Sequence, residues 1–220
     1  MKVIESVINK IKSQFEGDVT GHDWHHIMRV HNLSVFIQER EGGDLKIIQL
    51  AALLHDVSDH KFNGGNLTKG GEVAAEILQE LNENTETIEQ VKYIIDNISY
   101  KGANTKVEMK TLEGRIVQDA DRLDAIGAIG IARTFAYGGN RNQVIYEPDT
   151  EAMMHNSFED YHTSKTNTIN HFYEKLLLLK DRLNTPTGKR IGQERHQMME
   201  IFLENFFKEW NFNTTSSIND

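Results

Sequence analysis

Cysteine is absent from all 220 residues of this chain. Its absence excludes disulfide bonds, thiolate metal ligands and cysteine nucleophiles, and it fits the reducing cytosol, so we expect a cytoplasmic protein. Proline is almost as scarce, with only Pro148 and Pro186. Because strand-like alternation is also scarce and 3.6-residue periodicity is common, the sequence predicts an all-α fold.

The chain also has few basic residues and few long apolar runs. The 24 Lys and Arg against 33 Asp and Glu give a net charge of −9, which disfavours a nucleic-acid partner but still allows one small anion on local basic side chains. Residues 1–17 alternate charged with apolar residues and lack the uncharged core of a signal peptide. The most apolar stretch, residues 125–136, is broken by glycines and Arg133 and is too short to span a bilayer. We therefore expect no membrane partner.

Apolar periodicity, capping residues and glycines divide the chain into helices and loops. Thr20 and Asp23 match a capping box at the start of the second helix. The pattern predicts helices over residues 2–15, 23–40, 45–55, 72–81, 87–98, 112–138, 153–183 and 192–210. Because neither repeats nor low-complexity linkers are present, we expect a single all-helical domain over residues 1–212, with a helical cap or extension from about residue 140. Residues 213–220 are expected to fray.

Four ionisable residues stand out because they lie within or directly after apolar, helix-like stretches: His26, His55, Asp56 and Asp121. An isolated charge in such a place is costly, and a buried carboxylate must be paired, protonated or bound to a cation. Two imidazoles and two carboxylates can bind one divalent metal and leave positions open for water and substrate. The set therefore predicts a hydrolytic metal site.

Each member of this set also has an ordinary structural interpretation. His26, on the apolar face of its helix, could be a core histidine with satisfied hydrogen bonds. The His55-Asp56 pair could end a helix, although an aspartate there opposes the helix dipole. Asp121 and Asp124 share a helix face, where their repulsion could be offset by a metal ion or by pairing with Arg122.

Three motifs surround these residues: His22-Asp-Trp-His-His-Ile-Met-Arg-Val, Leu53-Leu-His-Asp and Asp119-Ala-Asp-Arg-Leu-Asp. In this order, H…HD…D over residues 20–135, they resemble the HD superfamily of metal-dependent phosphohydrolases. The resemblance implies an HD-domain helical bundle with additional C-terminal helices. It also implies metal ligands at His26, His55, Asp56 and Asp121, with Asp124 as an assisting carboxylate. Mn²⁺ is the expected ion, with Mg²⁺, Co²⁺, Ni²⁺ or Fe²⁺ as alternatives.

The stretches 96–102 and 184–190 are similar to a compact bacterial branch that includes nucleotide pyrophosphohydrolases. Other branches fit less well. Asp59-His60 stands where hydrolases of guanosine penta- and tetraphosphate have Glu-Asp, and the Gly-Tyr-Pro motif of cyclic-di-GMP phosphodiesterases is absent. The resemblance thus implies hydrolysis of nucleoside triphosphates to monophosphate and pyrophosphate. The alternatives are a phosphatase, nucleotidase or phosphodiesterase on the same metal site, or a non-catalytic regulatory module that binds metal and nucleotide.

Residues near the expected ligands supply the remaining roles. Asp59 or Asp124 would orient or deprotonate the attacking water, whose pKa a metal lowers towards ~7. The substrate phosphates would be bound by Lys61, Lys101 and Lys189, with Ser99 as a hydrogen-bond donor. Surface lysines are usually only solvated, which is the alternative for each of the three. The expected partner is a small-molecule nucleotide, and the protein is expected to be a monomer or a homodimer.

Overall fold

The computed structural model describes residues 2–15, 23–57, 69–99, 108–153 and 166–212. Within these ranges the regular structure is helical and includes no strand, which confirms the all-α class. The α-helices are α1 (Lys2–Ile11), α2 (Trp24–Glu41), α3 (Leu45–Leu54), α4 (Lys69–Glu80), α5 (Thr85–Ile98), α6 (Leu112–Asp124), α7 (Gly127–Asn140), α8 (Asn170–Glu174) and α9 (Pro186–Trp210). The single-domain organisation stays a prediction, and the tail predicted to fray lies outside the described residues.

Helix α3 lies at the centre of the bundle because it is apolar on nearly every side. Seven of its ten residues are buried, and Leu50, Leu53 and Leu54 are fully so. Helices α1, α2, α5 and α6 pack around it. Burying one such leucine stabilises the fold by about 1.5–3 kcal/mol. The end of α3, where His55 follows Leu54, is therefore held firmly in place.

Helix α2 places His26 beside the end of α3. Its N-cap is Asp23, whose side chain accepts a hydrogen bond from the backbone N–H of His26 at 2.8 Å. The predicted capping box assigned the cap to Thr20, which lies outside the described residues. The helix ends before Gly42, whose φ of +83° lies in the region that favours glycine.

The long helix predicted over residues 112–138 is wrong, because the structure has two helices there, α6 and α7. Ala125 and Ile126 join them, and Gly127 follows with a φ of +77°. A side chain at this position would also collide with Arg195, whose Cγ lies 2.9 Å from the place of a Cβ. The break puts Asp121 and Asp124 in the last turn of α6, next to the start of α7.

The C-terminal part of the chain differs from the prediction in two further places. A helix over residues 153–183 is wrong for the described part, since residues 166–183 contain only α8 and two short 3-10 turns. Helix α9 begins at Pro186 and not near residue 192. Thr185 caps it by accepting a hydrogen bond from the backbone N–H of Gly188, and proline suits the first turn of a helix.

Helix α9 packs against α2, α6 and α7. Near its C-terminal end, Phe202 stacks on Phe172 with ring centroids 5.5 Å apart, and Trp210 lies edge-on to Tyr146 at 5.0 Å. These aromatic side chains thus pack on the chain itself. Although α9 is 25 residues long, neither it nor any other helix in the described ranges has the length and apolarity needed to cross a membrane.

Candidate metal centre

Helices α2 and α3 bring His26 and His55 together. The side chains of both are 1 % exposed, and their Nε2 atoms lie 3.2 Å apart. One ligand atom each from His26, His55 and Asp56 forms a group in which all atoms lie within 4.8 Å of one another. The structure therefore places three of the four predicted ligands as a potential metal-binding group.

The hydrogen bonds on the far sides of the two imidazoles determine which nitrogens can bind a metal. Nδ1 of His55 lies 2.8 Å from the carbonyl oxygen of Ala52, and Nδ1 of His26 lies 2.7 Å from Oδ2 of Asp124. The carbonyl oxygen of Ala52 can only accept a hydrogen bond, and so can the carboxylate of Asp124 when it is ionised. Each Nδ1 therefore carries a hydrogen. In the neutral imidazoles, both Nε2 atoms then present lone pairs to each other, an arrangement that a cation or a proton must stabilise.

A proton and a metal ion compete for this place. Burial alone would lower the pKa of His26, but its hydrogen bonds with Asp124 and Asp56 outweigh burial, and the pKa lies above its ordinary value. The carboxylates around the buried His26 thus favour a positive charge at this place. Because metal ligands must be deprotonated, a metal ion and a proton would compete for Nε2 of His26.

Two carboxylates complete one side of the group. Oδ2 of Asp56 lies 3.4 Å from Nε2 of His26 and 3.5 Å from Nε2 of His55. Oδ1 of Asp121 lies 3.8 Å from the same two nitrogens. Nitrogen and oxygen ligands about 2.1 Å from one ion, at right angles to each other, lie roughly 3 Å apart. The donor set and its spacing therefore fit a divalent ion, and the partial exposure of the Asp121 side chain, 33 %, leaves that side open.

Asp124 lies behind His26 in a dense set of donors. Besides Nδ1 of His26, it accepts hydrogen bonds from Arg29 at 2.7 and 3.0 Å and from Arg133 at 2.7 Å. Arg122, the partner considered from the sequence, donates to the backbone carbonyl of Arg182.

These contacts hold the pKa of Asp124 well below its usual range. Burial acts in the opposite direction, but the hydrogen bonds from His26 and Arg29 and the charge of Arg133 outweigh it. A carboxylate this acidic is a poor proton acceptor at neutral pH. Of the two roles predicted for Asp124, the geometry favours assistance to the imidazole of His26 over deprotonation of water.

A second buried carboxylate, Asp119, connects α6 to the start of α9. Its Oδ1 accepts from the backbone N–H and side-chain amide of Asn184, and its Oδ2 accepts from the backbone N–H and hydroxyl of Thr185, all at 2.7–2.8 Å. Burial raises the pKa of Asp119, although the four hydrogen bonds oppose the shift. Gly188 is required beside it, since a Cβ there would lie 2.4 Å from Oδ2.

Removal of this carboxylate should destabilise the protein. We expect Asp119→Ala to lower the free energy of unfolding by about 3–5 kcal/mol, because several donors lose their acceptor at about 1–3 kcal/mol for each buried one. The free energy of unfolding of Asp119→Asn should lie between that of the wild type and that of Asp119→Ala, because one acceptor oxygen becomes a donor facing other donors. Urea unfolding measures both, with the exposed Asp181→Ala as the matched control. A loss below 1 kcal/mol for Asp119→Ala, about that of a surface change, would contradict the structural role.

Two of the predicted substrate-binding residues lie near this connection. Ser99 follows α5 as its C-cap, and the buried amide of Gln118 donates to the backbone carbonyls of Asn97 and Ile98 just before it. Lys189 is exposed in the first turn of α9. Their contact with a substrate stays a prediction. The other predicted residues, Asp59, Lys61 and Lys101, lie outside the described residues.

Arg133 and Arg195 belong to the site but were not among the predicted residues. Arg133 reaches both the backbone carbonyl and the carboxylate of Asp124, and Arg195 donates to the backbone carbonyl of Leu123. In the sequence, the signal for Arg133 is its isolation in an apolar, glycine-rich stretch, where a charge needs a partner. Arg195 lies in a polar segment and has no comparable signal.

Comparison with known proteins agrees with this geometry. A family model for the HD domain matches residues 23–126. The uncharacterized protein YpgQ of Bacillus subtilis is 34 % identical over 210 residues, which cover 95 % of this chain and 94 % of YpgQ. A solved HD-superfamily hydrolase from Bacillus thuringiensis is 43 % identical, with 96 % and 97 % of the two chains covered and a TM-score of 0.72. The chain belongs to the HD superfamily and is a metal-dependent phosphohydrolase.

Two further solved structures resemble this chain over nearly its whole length. A protein from Lactobacillus plantarum has a TM-score of 0.85 at 34 % identity and covers 96 % of this chain and 97 % of its own. The crystal structure of B. subtilis YpgQ in complex with ADP has a TM-score of 0.71 at 34 % identity, with coverage of 91 % and 96 %.

Proposed function

We propose that this protein hydrolyses nucleoside triphosphates to nucleoside monophosphate and pyrophosphate. The observation that carries the nucleotide part is the ADP complex of YpgQ, because the similarity extends over 91 % of this chain. In the reaction, the oxygen of water bonds to the α-phosphorus. The bond from that phosphorus to the α–β bridging oxygen breaks, and pyrophosphate leaves.

His26, His55, Asp56 and Asp121 would hold the divalent ion, which we propose to be Mn²⁺. When bound, such an ion supplies Lewis acidity that lowers the pKa of water and offsets phosphate charge. The chain contributes the orientation of the donors. The carbonyl of Ala52 holds Nδ1–H of His55, so that Nε2 remains available as a ligand.

The remaining roles are assigned by chemistry and position. Asp124 would fix the tautomer and angle of His26 through the 2.7 Å contact with Nδ1. Asp59 is the better candidate to orient or deprotonate the attacking water, because Asp124 is surrounded by donors. Lys61, Lys101, Lys189 and Ser99 remain the proposed phosphate-binding residues.

The ADP in the YpgQ complex also favours a second function, a phosphatase that attacks the terminal phosphorus. ADP is the product of attack on the γ-phosphorus of ATP, whereas attack on the α-phosphorus gives AMP. The third candidate, a regulatory module that binds metal and nucleotide, differs from both because it forms no product.

Hydrolysis in ¹⁸O-labelled water distinguishes these three functions. The metal-free protein is supplied with Mn²⁺, Mg²⁺, Co²⁺ or Ni²⁺ and incubated with ribo- and deoxyribonucleoside triphosphates. We expect monophosphate that carries the ¹⁸O, together with unlabelled pyrophosphate, because the water oxygen ends on the phosphorus that it attacks. Mass spectrometry of the separated products measures the position of the label.

Each alternative has its own signature in the same experiment. Diphosphate with labelled orthophosphate would replace the proposed reaction with terminal phosphate hydrolysis. Labelled pyrophosphate with unlabelled monophosphate would mean attack on the β-phosphorus. Saturable nucleotide binding without any product under all four metals would favour the regulatory module.

A further inference from the structure

The Oδ2 oxygen of Asp124 links an arginine of another helix to the imidazole of His26. This oxygen lies 2.7 Å from Nδ1 of His26 and accepts a hydrogen bond from Arg133, also at 2.7 Å. The Nε2 atom on the opposite edge of the imidazole faces Nε2 of His55 at 3.2 Å. Arg133, Asp124 and His26 therefore form one continuous chain of contacts that ends at the candidate metal position.

The two arginines that pair with Asp124 hold it from different parts of the fold. Arg29 lies on α2, three residues after His26, and pairs with both carboxylate oxygens at 2.7 and 3.0 Å. Arg133 lies on α7 and bonds not only to Oδ2 but also to the backbone carbonyl of Asp124, at 3.3 Å. Because Arg29 belongs to the same helix as the imidazole, of the two arginines Arg133 alone holds the carboxylate from outside α2.

The charge of Asp124 does not by itself account for Arg133. The guanidinium of Arg29, which reaches both oxygens, already balances the single negative charge of the carboxylate. The side chain of Arg133 is only 17 % exposed, and burial of a second guanidinium adds a desolvation cost that charge balance does not require. What Arg133 adds is a fixed position for Oδ2, the oxygen that contacts His26.

The break between α6 and α7 brings Arg133 back to Asp124. Gly127, with a φ of +77°, turns the chain, and a Cβ at Gly130 would collide with the backbone carbonyl of Ala125. The first turn of α7 therefore lies directly on the end of α6, and Arg133 reaches a carboxylate nine residues before it in the chain. The two glycines thus permit the contact between the arginine and the carboxylate.

Burial strengthens this chain of contacts. The side chains of His26 and Asp124 are 1 % and 4 % exposed. Where water is largely excluded, a hydrogen bond is electrostatically stronger and an unpaired polar group is more costly. A change at Arg133 should therefore alter the position of the carboxylate and, through it, that of the imidazole.

We propose that Arg133 is a positioning residue of the metal centre, an assignment that rests on His26 as a ligand of the divalent ion proposed above. By holding Oδ2 of Asp124 from α7, Arg133 keeps Nδ1–H of His26 directed at that oxygen and Nε2 directed at the ion. Metal-binding histidines usually donate their second ring N–H to a carboxylate or a carbonyl, and such partners influence metal affinity. Arg133 acts through Asp124 and contacts neither the ion nor the substrate.

Arg133→Gln tests this role, because glutamine stays polar but removes the guanidinium from Oδ2. Titration calorimetry with Mn²⁺ on the metal-free protein measures metal affinity without turnover. We expect the dissociation constant to rise about tenfold, the lower end of the range for residues that support a metal ligand. At saturating Mn²⁺, the KM for nucleoside triphosphate should not change. A raised KM under those conditions would place Arg133 in contact with the substrate and overturn the positioning role.

A double-mutant cycle with Asp124→Asn shows whether Arg133 acts through Asp124. In the Asp124→Asn background, Arg133→Gln should cause no further loss of Mn²⁺ affinity, because the carboxylate on which it acts is already gone. A loss by the same factor in both backgrounds would mean that Arg133 supports the site only by general packing, and it would overturn the proposal.

Arg141→Gln is the matched control for net charge. Arg141 is the exposed residue that follows α7, and its guanidinium lies over the ring of Tyr137, 5.4 Å from the centroid. An equal rise in the Mn²⁺ constant in both variants would reduce the effect to net charge and overturn the positioning role. If Arg133→Gln does not fold, Arg133→Lys replaces it in the cycle. Its Mn²⁺ constant should rise only where Asp124 is present, because an ammonium group lacks the planar donors of a guanidinium.

Failure of the positioning role and failure of the proposed function give different results. Unchanged Mn²⁺ affinity in a folded Arg133→Gln variant overturns the positioning role, even if the protein releases monophosphate and pyrophosphate. Conversely, Mn²⁺ affinity that depends on Arg133 through Asp124 supports the positioning role even if no nucleotide is hydrolysed, in which case it is the proposed reaction that fails.

Discussion

Replacing His55 with alanine is expected to remove the bound metal and to reduce kcat/KM by more than about 100-fold, since losing a residue that only supports a metal ligand already costs about 10–100-fold. The reason is geometric. His55 presents Nε2 to the same point as His26, at 3.2 Å, while its Nδ1 is committed to the carbonyl of Ala52. Within the described ranges, His26 is the only other histidine of the metal-binding group. Elemental analysis of the purified variant measures the metal, and the product assay measures turnover.

His25→Ala provides the control for this change. His25 is the exposed neighbour of the buried His26 on α2, so its loss removes an imidazole without touching the group of His26, His55 and Asp56. Far-ultraviolet circular dichroism should be helical for both variants. Normal turnover in a His55→Ala protein that has lost its metal would reject the metal centre as the site of hydrolysis.

The grouping of His26, His55 and Asp56 could be anticipated because the signals of these residues are local. His26 follows from the periodicity of one helix, and the His55-Asp56 pair ends one apolar run. Asp121 lies three residues from Asp124, so the two had to share a face. The structure adds the packing of these helices against one another, which the sequence pattern alone could not predict.

The support around the centre could not be predicted in the same way. Asp124 pairs with Arg29 and Arg133, and Asp119 with Asn184, 65 residues further along the chain. Spacing carries no information about such contacts, because they depend on which helices pack together. The break before Gly127 has a different cause, since the collision of a Cβ with Arg195 appears only in three dimensions.

The start of α9, in contrast, had a readable signal that was misassigned. The sequence pattern places residues 185–189 between two predicted helices, although proline is excluded only from the interior of a helix. A threonine followed by proline is also the usual pair for an N-cap and a first helical position. The structure has the second arrangement, and the burial of Thr185 against Asp119 explains why it is preferred here.

Asp124→Asn is expected to weaken both the metal centre and the fold. The variant keeps the size of the side chain but loses the charge that orders His26 and pairs with Arg29 and Arg133. Metal affinity and kcat/KM should each fall by about 10–100-fold. The free energy of unfolding of the metal-free protein should fall by about 3–5 kcal/mol, as for other buried charge networks that lose one partner. The exposed Asp181→Asn is the matched control.

The stability difference should depend on pH in a defined direction. Because the pKa of Asp124 is lowered in the folded protein, its carboxylate stabilises the fold above the pKa of the unfolded chain, about 3.9. That contribution is lost as the pH falls towards the folded value. Urea unfolding at pH 7 should therefore show the full difference between wild type and Asp124→Asn, and unfolding at pH 3 should show a smaller one.

Comparison of metal affinity with turnover separates the two roles predicted for Asp124. If Asp124 positions His26, turnover in Asp124→Asn should recover substantially at saturating metal, because the imidazole can still donate Nδ1–H to the amide oxygen. If Asp124 were instead the base that deprotonates water, the variant would bind metal normally and lose turnover at every metal concentration. The four hydrogen bonds that His26, Arg29 and Arg133 make to the Asp124 carboxylate hold its pKa well below the usual range. Because so acidic a carboxylate is a poor proton acceptor, we expect the first result.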